Sequence, residues 1–337
     1  MRITAESRVY YLLGYIPTNA ARDGKYRKIK VRVSRKGTKV RARKGYYAPL
    51  DDSMVAERDP EKVDPQIQQA LDSPYELDGV PIRMTAYVFD ETLLGKANVV
   101  VAADVDVREF GFEEKEGRLA DTLEFLMVVA HHETGEFYRY DQAVAMNLRP
   151  ETREKLNRTW FPIVREFELA EGGYQAKIVV RDQSARKVGT LVHSFEVPDL
   201  GALRTSTPIL SDSVHGAEAG AETRPSPSIL ARREFEVGSM FYCSYDVYGA
   251  AREEATGMPH VKAGFRIRRQ DGGFHTLMDP ELILPTSLGT LSRLVGVKLD
   301  GTSPGEYEVI LSLEDTLSSK TLEIREPFTV VEPAAGN

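Results

Sequence analysis

The sequence predicts an all-β protein: two immunoglobulin-like or fibronectin-like β-sandwiches in tandem, preceded by a β-strand and a basic β-hairpin. Three observations carry this. Apolar and polar residues alternate in short runs along most of the chain, and period two is the spacing of a strand with one buried face. These runs form two blocks, separated by a stretch rich in Ser, Pro, Ala, Gly and Thr that ends Arg224-Pro225-Ser226-Pro227-Ser228. Such a composition buries little and marks a boundary. Finally, residues 172–197 (GGYQAKIVVRDQSARKVGTLVHSFEV) align without gaps on residues 305–330 (GEYEVILSLEDTLSSKTLEIREPFTV). The 337 residues suit about two domains at roughly 150 residues each.

The elements follow in order. Val9–Ile16 is a short aromatic and apolar run, the pattern of a buried strand. Over 26–43, Ile29, Val31 and Val33 alternate with Lys28, Lys30 and Arg32, and Val40 and Ala42 with Lys39, Arg41 and Arg43. The intervening Ser34-Arg35-Lys36-Gly37-Thr38 makes this a hairpin with a cationic outer face. Residues 1–48 form this first unit and 49–79 a connector. In the connector Asp64-Pro65 supplies an N-cap and a first-turn proline for a short helix over 66–71.

The first sandwich, 80–199, has strands expected at 82–89, 97–107, 119–130, 136–147, 164–169, 174–181 and 191–197. One or two helical turns interrupt them at 150–156. Trp160, the lone tryptophan, is expected to anchor the core or boundary of this unit. Residues 200–229 are a linker, loosely packed over 198–228. The second sandwich, 230–332, has strands expected at 235–248, 260–269, 292–299, 307–313 and 321–330. The repeat equates Gly172 with Gly305, Tyr174 with Tyr307, Ile178 with Leu311, Val180 with Leu313, Asp182 with Asp315, Lys187 with Lys320, Phe195 with Phe328 and Val197 with Val330. It describes the closing hairpin of each sandwich. A Tyr entering a strand after a Gly turn has the logic of a tyrosine corner.

Composition excludes several classes. Hydrophobic residues make up 42% and charged residues 28%, which is globular rather than disordered or fibrous. No run approaches the ~18 apolar residues of a membrane helix. The one cysteine, Cys243, excludes a disulfide framework and a cysteine-built zinc site. Charge is uneven. Residues 1–50 hold fourteen Lys/Arg against Glu6 and Asp23, about +12, so a net charge of -7 leaves about -19 on the rest.

Residues 6–48 contain Tyr10-Tyr11-Leu12-Leu13-Gly14-Tyr15, then Asp23-Gly24-x-Tyr26-Arg27-x-Ile29-x-Val31, then Val40-Arg41-x-Arg43-x-Gly45-Tyr46-Tyr47. This run resembles the C-terminal end of the von Willebrand factor A-related domain of large acidobacterial proteins. Leu71-Asp72-Ser73-Pro74, Val80-Pro81-Ile82-Arg83, Leu148-Arg149-Pro150-Glu151-Thr152, Gly173-Tyr174-Gln175, Val180-Arg181-Asp182 and Val197-Pro198-Asp199 resemble the β-rich region that follows it. The resemblance weakens after residue 200. It implies a secreted or cell-envelope protein. No apolar segment of roughly 7–15 residues follows Arg2 to make a signal peptide, so a true start at Met1 implies the cytoplasm. The metal motif of such a domain, Asp-x-Ser-x-Ser, is absent; Ser211-Asp212-Ser213 has the wrong spacing. Metal-dependent adhesion is therefore not carried over, and the metal-binding part is expected upstream.

No residue pattern asks for a catalytic site, a cofactor or a metal. His131-His132-Glu133 lies at a turn, where adjacent histidines point apart, and is expected to be solvent-exposed. Asp104 and Asp106, with Glu109, Glu113, Glu114 and Glu116, lack the order of a calcium loop and are expected to form a solvated face and loop. Asp182 and Asp315 are expected in turns, and Asp271-Gly272-Gly273 in a hairpin turn. Cys243 is expected to be a buried small hydrophobe. Twelve Lys/Arg lie between Arg22 and Lys44, with Tyr26, Tyr46 and Tyr47 nearby. Phosphate contacts and stacking make nucleic acid one partner for such a segment. Against this, the bases alternate with apolar residues as on the wet face of an ordinary strand; docking on the acidic remainder of the chain is the expectation, with a solvated or inter-protein surface beside it. The function expected is a non-catalytic binding or structural spacer module with a protein partner. Two alternatives stand beside it: an accessory domain of an extracellular carbohydrate-active enzyme or protease, and nucleic-acid binding through 22–44.

Overall fold

Two stacked sheets, built twice, account for most of the chain in a computed structural model. It describes residues 26–28, 31–35, 45–47, 65–215, 226–286 and 289–333. At the N-terminal end β1 (Tyr26–Lys28) pairs antiparallel with β2 (Gly45–Tyr47), Tyr26 opposite Tyr47. Residues 31–34 are not in a strand and Val33 is exposed, so the expected strand does not extend that far. The run at 9–16 lies outside the described residues, as do most of the basic side chains of 22–44.

α1 (Pro65–Asp72) follows, bounded near the positions the Asp-Pro signal gave. The first sandwich then uses β3 (Ile82–Glu91), β4 (Ala97–Val105), β5 (Glu113–Lys115), β6 (Arg118–His131), β7 (Phe137–Leu148), α2 (Pro150–Thr159), β8 (Phe161–Leu169), β9 (Gly172–Asp182) and β10 (Val188–Val197). One sheet runs β3-β4-β8. The other runs β10-β9-β6-β7, with β5 a short addition on β6. Their facing residues, among them Val99, Val101, Leu123, Phe125, Met127, Ile178 and Val180, form the first core.

The second sandwich repeats the plan. It uses β11 (Arg204–Thr205), β12 (Ile209–Ser211), β13 (Val214–His215), β14 (Ser226–Pro227), β15 (Glu234–Glu236), β16 (Met240–Tyr248), β17 (Val261–Arg269), β18 (Phe274–Leu282), β19 (Leu291–Lys298), β20 (Gly305–Asp315) and β21 (Lys320–Val331). β11 and β12 share one side of β16 and β19 takes the other. The opposing sheet runs β18-β17-β20-β21, with β15 added parallel to β21. In the first unit the first, second and fifth long strands make one sheet and the fourth, third, sixth and seventh the other; the second unit follows the same order, with the short β11 and β12 together in the first place. The chain is therefore all-β, with two fibronectin-like sandwiches.

The repeat holds at atomic detail. Tyr174 lies opposite Phe195 and Tyr307 opposite Phe328, and both ring pairs stack with centroids 5.6 Å apart. The Tyr174 hydroxyl donates to the Ala170 carbonyl at 3.0 Å, and the Tyr307 hydroxyl to that of Ser303 at 2.8 Å. Both are tyrosine corners, tying a strand to the loop that enters it.

Three expectations need correcting and one narrows. The 200–229 segment is not a loose linker where it is described: β11 and β12 belong to the second sandwich, and Leu210 and Ser211 are fully buried. Its Ser and Thr side chains serve hydrogen bonds that composition cannot show. Of the core or boundary place expected for Trp160, the structure shows the boundary. It is half-buried, with positive φ just after α2, and it carries the Arg83 guanidinium over its ring at 4.0 Å. The run 235–248 is two strands, because Gly238 turns the chain at φ 76°. β18 was not anticipated, since its residues are mostly exposed and alternate poorly.

Candidate functional site

A smaller buried cluster lies between the two sandwiches. β4 is apolar on both faces: Val99 and Val101 enter the core, while Val100 and Ala102 face outward. A strand with two apolar faces needs a cover on each. Here the outer cover is the start of the second sandwich, whose Ile209, Ile229 and Ala231 pack on Tyr87, Val100 and Ala102. The Thr85 hydroxyl donates to the Ala231 carbonyl at 2.9 Å and the Tyr87 hydroxyl to that of Leu230 at 2.5 Å. Thr207 exchanges two hydrogen bonds with the backbone of Val88, and Arg204 donates to the Phe89 carbonyl. Arg83, held on Trp160, reaches Glu234 at 2.6 Å.

Beside these contacts lies a cleft of about 420 Å³. Met84, Val88, His193 and Phe195 line it from the first sandwich, and Thr207, Arg233, Glu326 and Pro327 from the second. Burial raises the Glu326 carboxyl above its usual range, with Arg233 opposing. Burial, then the Arg233 charge, depresses the His193 imidazole. Arg233 and Glu326 stand 3.7 Å apart, an ion pair without a good hydrogen bond. The cleft offers a cation and two groups biased toward neutrality.

The sequence candidates fall elsewhere, and several were placed wrongly. His131 is not exposed. It is buried against Tyr174, and its Nδ1 accepts from the backbone N–H groups of Glu133 and Thr134. It is a structural histidine that closes the β6–β7 turn, and a Cβ at Gly172 would meet its Nε2 at 2.4 Å. Asp104 and Asp106 are buried, not solvated. Asp106 clamps its neighbour Arg108 through main chain and guanidinium. Burial raises the Asp104 carboxyl, and the backbone N–H groups of Arg232 and Ala231 at the interface, with the Arg232 charge, work against the rise. Glu109 and Glu113 pair with Lys187 and Lys115 on the surface. Cys243 is fully buried and burial pushes its thiol up. Asp271-Gly272-Gly273 joins β17 to β18 as expected. Among the described residues no three metal-ligating side chains come together.

Asp182 and Asp315 do sit at turns, but both are fully buried and reach further than a turn requires. Asp182 accepts from Ala185 in its own turn and from Gly111 in the loop after β4. Asp315 accepts from Leu317 and from Ala251 in the loop after β16. Each locks the last hairpin to the opposite sheet. The recurrence of Asp in the repeat was the available signal. Asp121, beside Asp182, carried none. It accepts from Thr122 and Ser184, while its Oδ2 is buried without a partner. Burial raises its carboxyl, and the negative charge of Asp182 adds to the rise.

A carboxyl whose folded pKa is raised weakens the fold as pH climbs above its unfolded value, roughly 3.9. Asp121→Asn keeps the shape and turns the orphan oxygen into a donor aimed at a carboxylate. It should raise stability at neutral pH by on the order of 1 kcal/mol. The gain should vanish below about pH 4, where the aspartate is protonated as well. Urea midpoints measured at both pH values check this.

No known family model matches the chain, and no curated protein matches it. Among solved structures it is similar to Salmonella alpha-2-macroglobulin reacted with methylamine, at 7% identity over 75% of this chain and 25% of that chain, with a TM-score of 0.33. It is also similar to the fibronectin(III)-like modules of CbhA from Clostridium thermocellum, at 10% identity over 74% of this chain and 94% of that chain, with a TM-score of 0.19. The chain spans about a quarter of the length of the macroglobulin. No helix among the described residues is long and apolar enough to cross a membrane.

Proposed function

We propose that this chain is a non-catalytic structural spacer and binding module of a secreted or cell-envelope protein related to von Willebrand factor A domains. One observation carries the spacer role. The two sandwiches share a buried layer, with Tyr87, Val100 and Ala102 on one side and Ile209, Ile229 and Ala231 on the other. Polar bonds from Thr85, Tyr87, Thr207 and Arg204 fix its register. Independent domains joined by a free linker swing; domains that share a layer hold their separation and orientation. A stiff pair presents its loops and edges at a set distance from whatever precedes it. The kinship with A domains is supported by the residues between 10 and 47.

Asp104→Ala tests the spacer role. It leaves two backbone N–H groups without their acceptor inside the shared layer, at roughly 1–3 kcal/mol. Calorimetry of the full chain should show one cooperative transition for the wild type and two resolved transitions for the variant. Two transitions in the wild type would show that the sandwiches are independent and sink the spacer reading.

A further inference from the structure

We propose that the outer edge of β7, which pairs with no strand among the described residues, is a dimerisation surface, onto which a second copy of this chain adds its own β7 antiparallel. An open sheet edge is a row of unpaired N–H and C=O groups, and folded proteins blunt such rows with proline, bulges, charge or a covering segment. Most of the other long edges described here are blunted. Residues 76–78 cover β10: the Leu77 carbonyl takes the Thr190 N–H at 2.8 Å, and the Glu76 carboxylate takes that of Val192 at 3.0 Å. Thr207 covers β3 and β15 covers β21. β8 contains Pro162, and Arg165 bonds the Val164 carbonyl of its own strand at 2.6 Å. β18 occupies the position in the second sandwich that β7 occupies in the first. It carries Pro280 and two register shifts against β17.

β7 has no proline, bulge or covering strand among the described residues; its charges are one arginine and one aspartate, and Arg118 takes its Asn147 carbonyl at 3.0 Å. Its twelve residues, FYRYDQAVAMNL, contain no proline, glycine or lysine. They pair with β6 in unbroken register from Leu119 opposite Leu148 to Ala130 opposite Phe137. Its inward side chains are held: Arg165 lies over the Tyr140 ring at 4.1 Å and bonds Gln142.

The sequence is also complementary to itself. Pairing two copies with matching faces requires residues of the same parity opposite each other. A two-fold axis through Tyr140 does this and sets Arg139 of each copy opposite Asp141 of the other, with Phe137 opposite Ala143. Opposite charges directly across an antiparallel pair are favourable, and the two-fold makes the contact twice. Phe137, 47% exposed, gains a cover.

The full chain should sediment at equilibrium with about twice its 37.7 kDa mass at micromolar concentration. Asp141→Arg places arginines opposite arginines at both contacts and should weaken association roughly tenfold or more. The swap Arg139→Asp with Asp141→Arg restores opposite charges in the same register and should recover the dimer. That recovery also separates a lost interface from a lost fold. A monomeric wild type, whether because the edge is covered by residues 1–64 or because it is simply soluble, would overturn the proposal. So would a dimer that Asp141→Arg leaves intact.

Discussion

Phe328→Ala should cost the second sandwich about 3–5 kcal/mol, the range for emptying a buried aromatic site. Phe328 is 1% exposed and meets three other rings. It stacks on Phe241 at 4.7 Å and on Tyr307 at 5.6 Å, and Phe235 meets it edge-on at 5.9 Å. Each good aromatic pair adds about 0.5–1.5 kcal/mol beyond the buried area. Truncation therefore removes the hub and leaves a cavity that three rigid rings cannot collapse to fill. It also frees Tyr307, whose corner bond to Ser303 depends on the ring being held. Phe195→Ala is the internal control. Phe195 occupies the same place in the first sandwich but is half-buried, and its stacking partners are Tyr174 and His193. Its loss should cost clearly less. Denaturant titrations of both variants check the order, and equal midpoints would contradict it.

Asp315→Ala should cost about 2–4 kcal/mol, because it orphans buried donors rather than merely removing a bond. The carboxylate receives N–H groups from Ala251 at 2.9 Å and Leu317 at 3.0 Å, and the Ser318 hydroxyl at 2.6 Å. Burial alone would raise its pKa, but the bonds from Ser318, Ala251 and Leu317 prevail and hold it below the usual carboxylate range. A depressed folded pKa gives stability that is fully present above the unfolded value, near 3.9, and lost as pH falls through the folded one. The wild type should therefore lose stability on acidification below about pH 4. Asp315→Asn should be less stable at pH 7 and lose less over that window. Parallel acid titrations followed by tryptophan-independent far-UV dichroism measure both. An unchanged acid limb in Asp315→Asn would show that the charge is not what the loop bonds hold.

The fold was legible because alternation reports one buried face at a time. The repeat places Tyr174, Tyr307, Phe195 and Phe328 correctly, since eight matched positions in one register fix a hairpin. Position on a strand was legible; depth was not. Asp104, Asp106 and His131 are polar residues near strand ends, and nothing local distinguishes a solvated end from one covered by a distant segment. The shared layer was written in Val100 and Ala102, the outward apolar residues of β4. That sign says a face is covered without saying by what. The supposed linker failed for a related reason: Ser206, Thr207 and Ser211 act there as hydrogen-bonding groups, whereas composition counts them as flexible. β18 was missed because an edge strand with exposed residues has no periodicity to detect.

The shared layer also has a consequence for how the chain is made. A ribosome releases the first sandwich, through Val197, before residues 207–232 have left the exit tunnel. During that interval the outer face of β3 and β4 has every hydrogen bond of its own sheet, yet Tyr87, Val100 and Ala102 lie bare to solvent. Nascent chains with an exposed apolar sheet face attract chaperones or one another. Translation speed over the short stretch between the two sandwiches therefore sets how long the protein is vulnerable, and slow codons there would harm it more than slow codons anywhere downstream.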